Sequence, residues 1–323
     1  MIRLGRESVS IEDILALARG KVPVALDDDP QHRARIRRAR EVVQRRRDGG
    51  APVYGVTTGV GASSRVAIPP EFQPEMPLQL VRMHGVGTGR VLDETEAAAV
   101  VAIRLNAISR GHSGVREAVL ERLCELLNGR LLPVVPEEGS VGASGDLTPL
   151  SYLAALVAGE REATLHGRAL SAAEGLAALD LEPLVLEPKE SLSLMNGTSV
   201  MTAIACLAWE RAQRLARLAA TVTAMVSDAT HGNRAHFDAR IFALKPHPGA
   251  VTAAAWIRED LEPPAGAEPP PGARLQDRYS LRCAPHVIGV LLDALAEARR
   301  VLEVELNGVD DNPVVDPDAG EVL

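Results

Sequence analysis

Toward the end of the chain, Ile288, Leu291, Leu292, Leu295, Leu302 and Leu306 recur at the spacing of one helix face. Similar patterns run through Glu94–Ser109, Val115–Asn128 and Thr198–Ser227, the last long enough to cross a whole domain. Such segments can bury their apolar stripes only against one another. They predict a mainly α fold, an elongated bundle of long antiparallel helices. Aromatic residues are 2% of the chain and hydrophobic residues 46%, so Leu, Val, Ile and Ala must fill the core, as in packed helices rather than a β-sandwich.

Residues 1–196 have a different texture. Gly and Pro punctuate short segments such as Val53–Gly61 and Gly129–Pro149, which read as loops that present side chains. The expected organisation is a loop-rich region over 1–196 and a helical bundle over 197–323, interrupted at Glu262–Gly272, where five prolines and no periodicity mark a surface excursion. Asp310–Leu323 is polar and contains proline, and it reads as a trailing segment that closes nothing.

The formal charge of −8 argues against nucleic acid as a partner, because phosphate binding rewards an excess of Lys and Arg. Cys124, Cys206 and Cys283 are far apart and lack metal-like clustering, which fits a reducing, cytoplasmic setting. The first ten residues lack an apolar h-region, and no unbroken apolar run of membrane-spanning length occurs, so neither export nor a membrane span is expected.

The most unusual local sequence is Gly139-Ser140-Val141-Gly142-Ala143-Ser144-Gly145-Asp146-Leu147-Thr148-Pro149. Three small residues, Ala143, Ser144 and Gly145, let the Gly145 nitrogen approach the Ala143 carbonyl carbon, since Gly carries no Cβ to obstruct it. Closure of that five-membered ring, with loss of water and of the Ser144 hydroxyl, yields a methylidene-imidazolone, an electrophile that no ordinary side chain provides. Taken alone, the tripeptide also suits a glycine-rich loop in which Asp146 or Thr148 caps the next helix. A hydrolase elbow would need Gly where Asp146 stands. No Gly-Lys-Ser/Thr follows to make a phosphate loop, and neither Gly59-Val60-Gly61 nor Gly85-Val86-Gly87-Thr88-Gly89 completes a dinucleotide fingerprint.

The extended string resembles the signature of the histidine/phenylalanine ammonia-lyase family, which also includes tyrosine ammonia-lyases and aminomutases. Four further segments agree in the family's order: Tyr54-Gly55-Val56-Thr57-Thr58-Gly59, Asn196-Gly197-Thr198, Gln276-Asp277-Arg278-Tyr279-Ser280-Leu281-Arg282 and Asp311-Asn312-Pro313. Eliminating ammonia requires removal of a weakly acidic β-proton and departure of a poor leaving group, so a base, an electrophile and a carboxylate anchor are needed. Tyr54 suits the base, Ser144 the electrophile, and Arg282 a bidentate hold on the carboxylate. The resemblance places Asn196, Gln276 and Tyr279 around the amine, the prosthetic group or the carboxylate.

Aligning Gly87-Thr88-Gly89 and Leu92-Asp93 with the family's selectivity segment puts Met83 and His84 at the pair facing the substrate ring. An imidazole there favours a polar ring, histidine slightly ahead of tyrosine and then phenylalanine, whereas a packed or capping histidine is the alternative. Lys245-Pro246-His247-Pro248 reads as a turn. The resemblance further implies a self-formed 4-methylidene-imidazol-5-one with no metal or nucleotide, and a homotetramer whose active sites are shared between chains. It also implies that relatives continue beyond the position of Leu323. The chain is then expected to be an expressed fragment, a proteolytic product or a half-enzyme with a complementary C-terminal chain. An aminomutase would use the same residues, and a non-catalytic helical subunit is the reading from a different class.

Overall fold

The structure is a computed structural model that describes residues 1–142, 145–261 and 275–323. The chain forms two compact units, Met1–Cys206 with Leu302–Leu323, and Leu207–Val301. The boundary expected after Asn196 falls inside the first unit, where Asn196, Gly197 and Thr198 are bonded to residues from both of its chain segments.

In the first unit lie α1 (Ile11–Ala18), α2 (Pro30–Asp48), α3 (Met76–His84), α4 (Glu94–Ser109), α5 (Glu117–Asn128), α6 (Leu147–Val157), α7 (Ala172–Ala178) and α8 (Glu190–Met195). Helix α9 (Ser199–Ala229) begins there and continues into the second unit, which also holds α10 (Ala239–Ala243), α11 (Pro248–Asp260) and α12 (Tyr279–Arg282). Helix α13 (Ala284–Asn307) ends in the first unit. Helix accounts for 56% of the protein, so the fold is mainly α.

The strands are short and serve as clasps. β1 (Ile2–Leu4) runs parallel to β2 (Val24–Leu26); β3 (Thr88–Val91) pairs antiparallel with β5 (Pro136–Glu138); β4 (Leu131–Pro133), β6 (Glu162–Leu165) and β7 (Arg168–Ser171) form an antiparallel sheet in the order β4-β6-β7. Gly129–Pro149, expected as loop, thus contributes two strands and the first turn of α6.

Helix α4 is the centre of the first unit. Asp93 and Glu96 cap its start reciprocally, and from Glu96 to Ser109 every residue is buried. The side chains are chiefly Ala, Val, Ile and Leu, which lets neighbouring helices approach closely without aromatic bulk. Asp310–Leu323 does not trail as expected. Val315 is fully buried against Ala39, Val42 and Val43 of α2, its N–H donates to the His112 carbonyl at 2.8 Å, and β8 (Val315–Asp316) pairs with β9 (Glu321–Val322). Its polar residues had hidden this apolar anchor.

The second unit is packed largely with alanine: Ala216, Ala220, Ala224, Ala253 and Ala284 surround Phe237, Ile257, Ile288 and Leu292. A Cβ on Gly249 would lie 2.0 Å from the Gly289 carbonyl oxygen, so α11 and α13 meet backbone to backbone. Of the stripe expected on α13, Ile288, Leu292, Leu295 and Leu306 are buried, whereas Leu291 is exposed beside Val287 and Val290. Glu190–Ala229 is long and apolar enough to span a membrane by length and composition, but 72% of its apolar window is buried, the behaviour of a core helix. The segment Glu262–Gly272, expected as a surface excursion, lies outside the described residues.

All three cysteines are free. Burial pushes the Cys124 and Cys206 thiols up to about 12 from an ordinary 9.0, which leaves almost no reactive thiolate near neutrality. In the folded protein iodoacetamide should therefore label half-buried Cys283 first and reach the other two only after urea is added. Equal labelling of all three, read by peptide mass, would contradict this packing.

Candidate active site

Tyr54 stands between buried Val53 and Val56, whose side chains join α2 in one apolar cluster. This leaves Tyr54 half-buried on the opposite side of the turn. Thr57 Oγ1 accepts the Val53 N–H at 2.7 Å, Thr58 Oγ1 donates to the Gly59 carbonyl at 3.0 Å, and the Tyr54 hydroxyl accepts the Gly61 N–H at 2.9 Å. The two threonines therefore fix a turn whose product is a held phenol. Gly55 has φ +66°, and a Cβ there would fall 2.2 Å from Leu192 Cδ1, so the turn is pressed onto α8.

Ala143 and Ser144 lie outside the described residues. Their neighbour Gly145 is held tightly: its φ is +74°, and a Cβ on it would sit 2.1 Å from the Gly197 carbonyl oxygen. That oxygen accepts the Asp146 N–H at 2.6 Å. The Asp146 side chain does not cap α6, which it precedes; its Oδ2 instead accepts the N–H groups of Val200 and Met201, each at 2.9 Å. A buried carboxylate thus meets the positive end of the long helix α9, and the segment that follows the tripeptide is pinned to Asn196-Gly197-Thr198.

Gly197 is crowded on its other side as well. A Cβ there would lie 1.9 Å from Arg104 Nη1 and 2.6 Å from Asp310 Oδ2. Arg104 is fully buried on α4; Nη1 donates to Asp310 Oδ1 at 2.8 Å, and Nε donates to the Ser193 carbonyl at 2.7 Å. The second oxygen of Asp310 accepts the Thr198 N–H at 2.6 Å and the Thr198 hydroxyl at 3.1 Å. Next in sequence, Asp311 Oδ1 accepts from the buried Lys189 Nζ at 2.8 Å. Burial pulls the Lys189 ammonium below its ordinary value, and the facing Asp311 opposes that shift. Asn196 is buried, and its Nδ2 donates to the Asn312 carbonyl at 3.2 Å.

His84 ends α3. Its Nδ1 lies 2.8 Å from the Leu80 carbonyl, which can only accept, so Nδ1 carries the proton and Nε2 is the nitrogen not engaged by that bond. The chain beyond is clamped: Arg161 Nη2 donates to the Gly85 carbonyl at 2.9 Å, and the Tyr152 hydroxyl accepts the Gly87 N–H at 3.1 Å. Met83 is 65% exposed, so its apolar side chain is left largely uncovered by the described residues.

The Gln276–Arg282 block belongs to the second unit. Asp277 anchors it by accepting the Asn233 N–H at 2.7 Å while its own N–H donates to His236 Nε2 at 2.9 Å. Gln276 and Tyr279 are exposed; the half-buried Arg282 guanidinium lies over the Tyr279 ring at 4.2 Å from its centroid. The Arg282 Nε is buried without a hydrogen-bond partner among the described residues. An aromatic face that orients the fork and an unspent donor suit a site that receives a carboxylate.

A sequence profile described as aromatic amino acid lyase matches residues 9–323. The chain belongs to the aromatic amino acid lyase family. It is 41% identical to a histidine ammonia-lyase of Koribacter versatilis over 99% of this chain and 62% of that protein. Among solved structures it is similar to the tyrosine aminomutase of Streptomyces globisporus, with TM-score 0.89 and 34% identity over 99% of this chain and 64% of the other. The ergothioneine-degrading enzyme ergothionase of Treponema denticola superposes with TM-score 0.94 at 26% identity, covering 100% of this chain and 64% of the other. The chain thus spans less than two thirds of the length of each of these relatives.

Within this member of the lyase family, the first unit gathers Gly145, Asn196 and the Asp310–Asn312 segment, and also carries Tyr54 in a turn and His84 at the end of α3; the second carries Gln276, Tyr279 and Arg282. Sequence reading missed Arg104, Lys189 and Asp310. Arg104 had a signal: it is the single charge in the stretch from Ala97 to Ser109 of a helix that is otherwise almost wholly apolar. A charge in such a run requires a buried partner.

Because Asp146 satisfies two N–H groups in the first turn of α9, Asp146→Ala should cost about 1–3 kcal/mol of stability, read as a lowered denaturant midpoint. An unchanged midpoint would mean that α9 is capped by other means.

Proposed function

We propose that this chain is the prosthetic-group-bearing part of a carbon–nitrogen lyase that eliminates ammonia from an aromatic L-amino acid, histidine ahead of tyrosine and phenylalanine. The product is an α,β-unsaturated acid. The observation that carries the reading is the fit at Gly145: its left-handed backbone and the absence of room for a Cβ suit a residue whose nitrogen closes a ring with Ala143, and the Asp146 carboxylate fixes the segment immediately after it. A 4-methylidene-imidazol-5-one made from Ala143, Ser144 and Gly145 would supply the electrophile for the substrate amine, with no metal or nucleotide.

The remaining roles fall to side chains. Tyr54 accepts the β-proton, held by its own turn in one orientation. Arg282 takes the substrate carboxylate through its fork, with Gln276 and Tyr279 beside it. Asn196 has its amide N–H committed to Asn312, so its Oδ1 is the end that can accept from an ammonium group. Because Nδ1 of His84 donates to Leu80, a neutral His84 presents Nε2 as an acceptor. Histidine offers a ring N–H and tyrosine a hydroxyl to that acceptor, whereas phenylalanine offers neither. Met83 flanks it on the open side.

A 2,3-aminomutase is a second reading, favoured by the similarity to the tyrosine aminomutase. It would use the same groups and return the amine to the β-carbon. A non-catalytic subunit is the reading from another class. We further infer a homotetramer with sites shared between chains, and possession of or association with a complementary C-terminal portion. Exposed apolar residues on α9 (Leu215, Leu218, Met225) and α13 (Val287, Val290, Val304) support burial by a second chain. The three free thiols suit a cytoplasmic, reducing compartment.

Intact mass tests the reading at its base. The purified protein should be lighter than its sequence by two waters, about 36 Da, whereas Ser144→Ala should match its sequence mass and be inactive. An active wild-type protein with an unmodified serine would overturn the assignment, and a ring-bearing protein that yields β-amino acids would select the aminomutase.

Substrate choice has its own test. In parallel assays histidine or tyrosine should exceed phenylalanine in kcat/KM, and His84→Leu should reduce that preference by roughly ten- to a hundredfold, since the unpaired acceptor is removed. Equal turnover of phenylalanine by the wild type would make His84 a structural residue.

A further inference from the structure

We propose that Arg104 and Asp310 are positioning residues for closure of the Ala143-Ser144-Gly145 ring, acting through the backbone of Gly197 and Thr198. The proposal rests on the reading that this tripeptide cyclises. Closure forms a bond from the Gly145 nitrogen to the Ala143 carbonyl carbon, whose oxygen leaves as water; loss of the Ser144 hydroxyl with its α-hydrogen releases the second water. Nothing else is consumed. The step needs the Gly145 nitrogen held toward the carbonyl, and intramolecular reactions of this kind depend steeply on orientation.

What holds Gly145 is the Gly197 carbonyl, which abuts its Cα and accepts the N–H of Asp146 at 2.6 Å. The direction of that carbonyl is set on its far side. Asp310 Oδ2 grips the Thr198 N–H, which shares a peptide plane with the Gly197 carbonyl and so fixes its tilt. Arg104 in turn fixes Asp310 through Nη1 and fills the space where a Gly197 side chain would stand. The fork is itself immobilised, since Nε donates to the Ser193 carbonyl and the side chain has no exposure. The path therefore runs from α4 through one carboxylate and one peptide plane to the ring-forming nitrogen.

A merely structural ion pair would lower stability without a special effect on the ring, and a second buried pair supplies that comparison. Glu190 is equally buried, accepts from Arg116 Nε at 2.7 Å, and makes no contact with Gly197 or Thr198 among the described residues. The experiment expresses the wild type, Asp310→Asn, Arg104→Lys and Glu190→Gln. It measures for each the fraction of protein lacking two waters by intact mass, alongside the thermal midpoint of the same sample. In Asp310→Asn the amide keeps one acceptor oxygen where two sets of donors converge, and in Arg104→Lys the ammonium cannot serve both Ser193 and Asp310.

In the folded Asp310→Asn and Arg104→Lys proteins the dehydrated fraction should fall at least about tenfold, whereas Glu190→Gln should lower the midpoint and keep the wild-type fraction. Dehydration at wild-type level in both Asp310→Asn and Arg104→Lys would overturn the proposal and leave the lyase reading intact. Loss of the ring in Glu190→Gln to the same degree would also overturn it, reducing the effect to stability. A wild type without the mass deficit would overturn the ring reading and this proposal together. If Asp310→Asn fails to fold, Thr198→Val, which keeps the N–H and loses only the hydroxyl bonds, should retain most of the ring, and its loss there would overturn the peptide-plane path by placing the control in the hydroxyl instead.

Discussion

A guanidinium without solvent exposure, carried on a helix whose residues from Glu96 to Ser109 are all buried, sets the frame on which the rest of the first unit depends. Burying Arg104 would be prohibitive unless every donor were matched, and the partners that match it, Ser193 and Asp310, come from segments far apart in sequence. Those same partners define where Gly197 and Thr198 run, and hence where Gly145 and Asp146 can lie. Removing one member would strand a buried charge, at a typical cost of about 3–5 kcal/mol. Stability and site geometry are therefore coupled through one interaction.

Glycines complete that frame by subtraction. Gly145 and Gly197 face each other with no space for a side chain on either, and Gly55 is pressed in the same way onto α8. In each case the missing Cβ allows the backbone an approach that a side chain would block. Small residues are also what let α11 and α13 meet in the second unit. The near absence of aromatic side chains and the close approach of helices are thus two aspects of one packing solution.

Much of this was legible in the residues. The helices at Glu94–Ser109, Thr198–Ser227 and around Ile288–Leu306 announced themselves by apolar residues at helical spacing, although α4 proves buried on every side and α13 leaves Leu291 of its stripe exposed. Ala143-Ser144-Gly145 stood out as three small residues in a row, and the Tyr54 segment through its resemblance to a family motif. Less was legible where a residue acts at a distance. The glycine-loop reading offered Asp146 or Thr148 as a cap for the next helix, whereas the Asp146 carboxylate caps α9; Asp310–Leu323 read as a trailing segment although Val315 and Asp311 are buried. Long-range partners leave no periodic trace, and only the lone charge of Arg104 hinted at one.

The most direct measurement is an experimental electron-density map across Gly142–Asp146 of the purified protein. The expected result is a planar five-membered ring joining the Gly145 nitrogen to the Ala143 carbon, with the Gly197 carbonyl accepting the Asp146 N–H and Asp310 bridging Arg104 and Thr198. An open chain with an intact Ser144 hydroxyl, beside a Gly197 carbonyl turned away from Asp146, would contradict it.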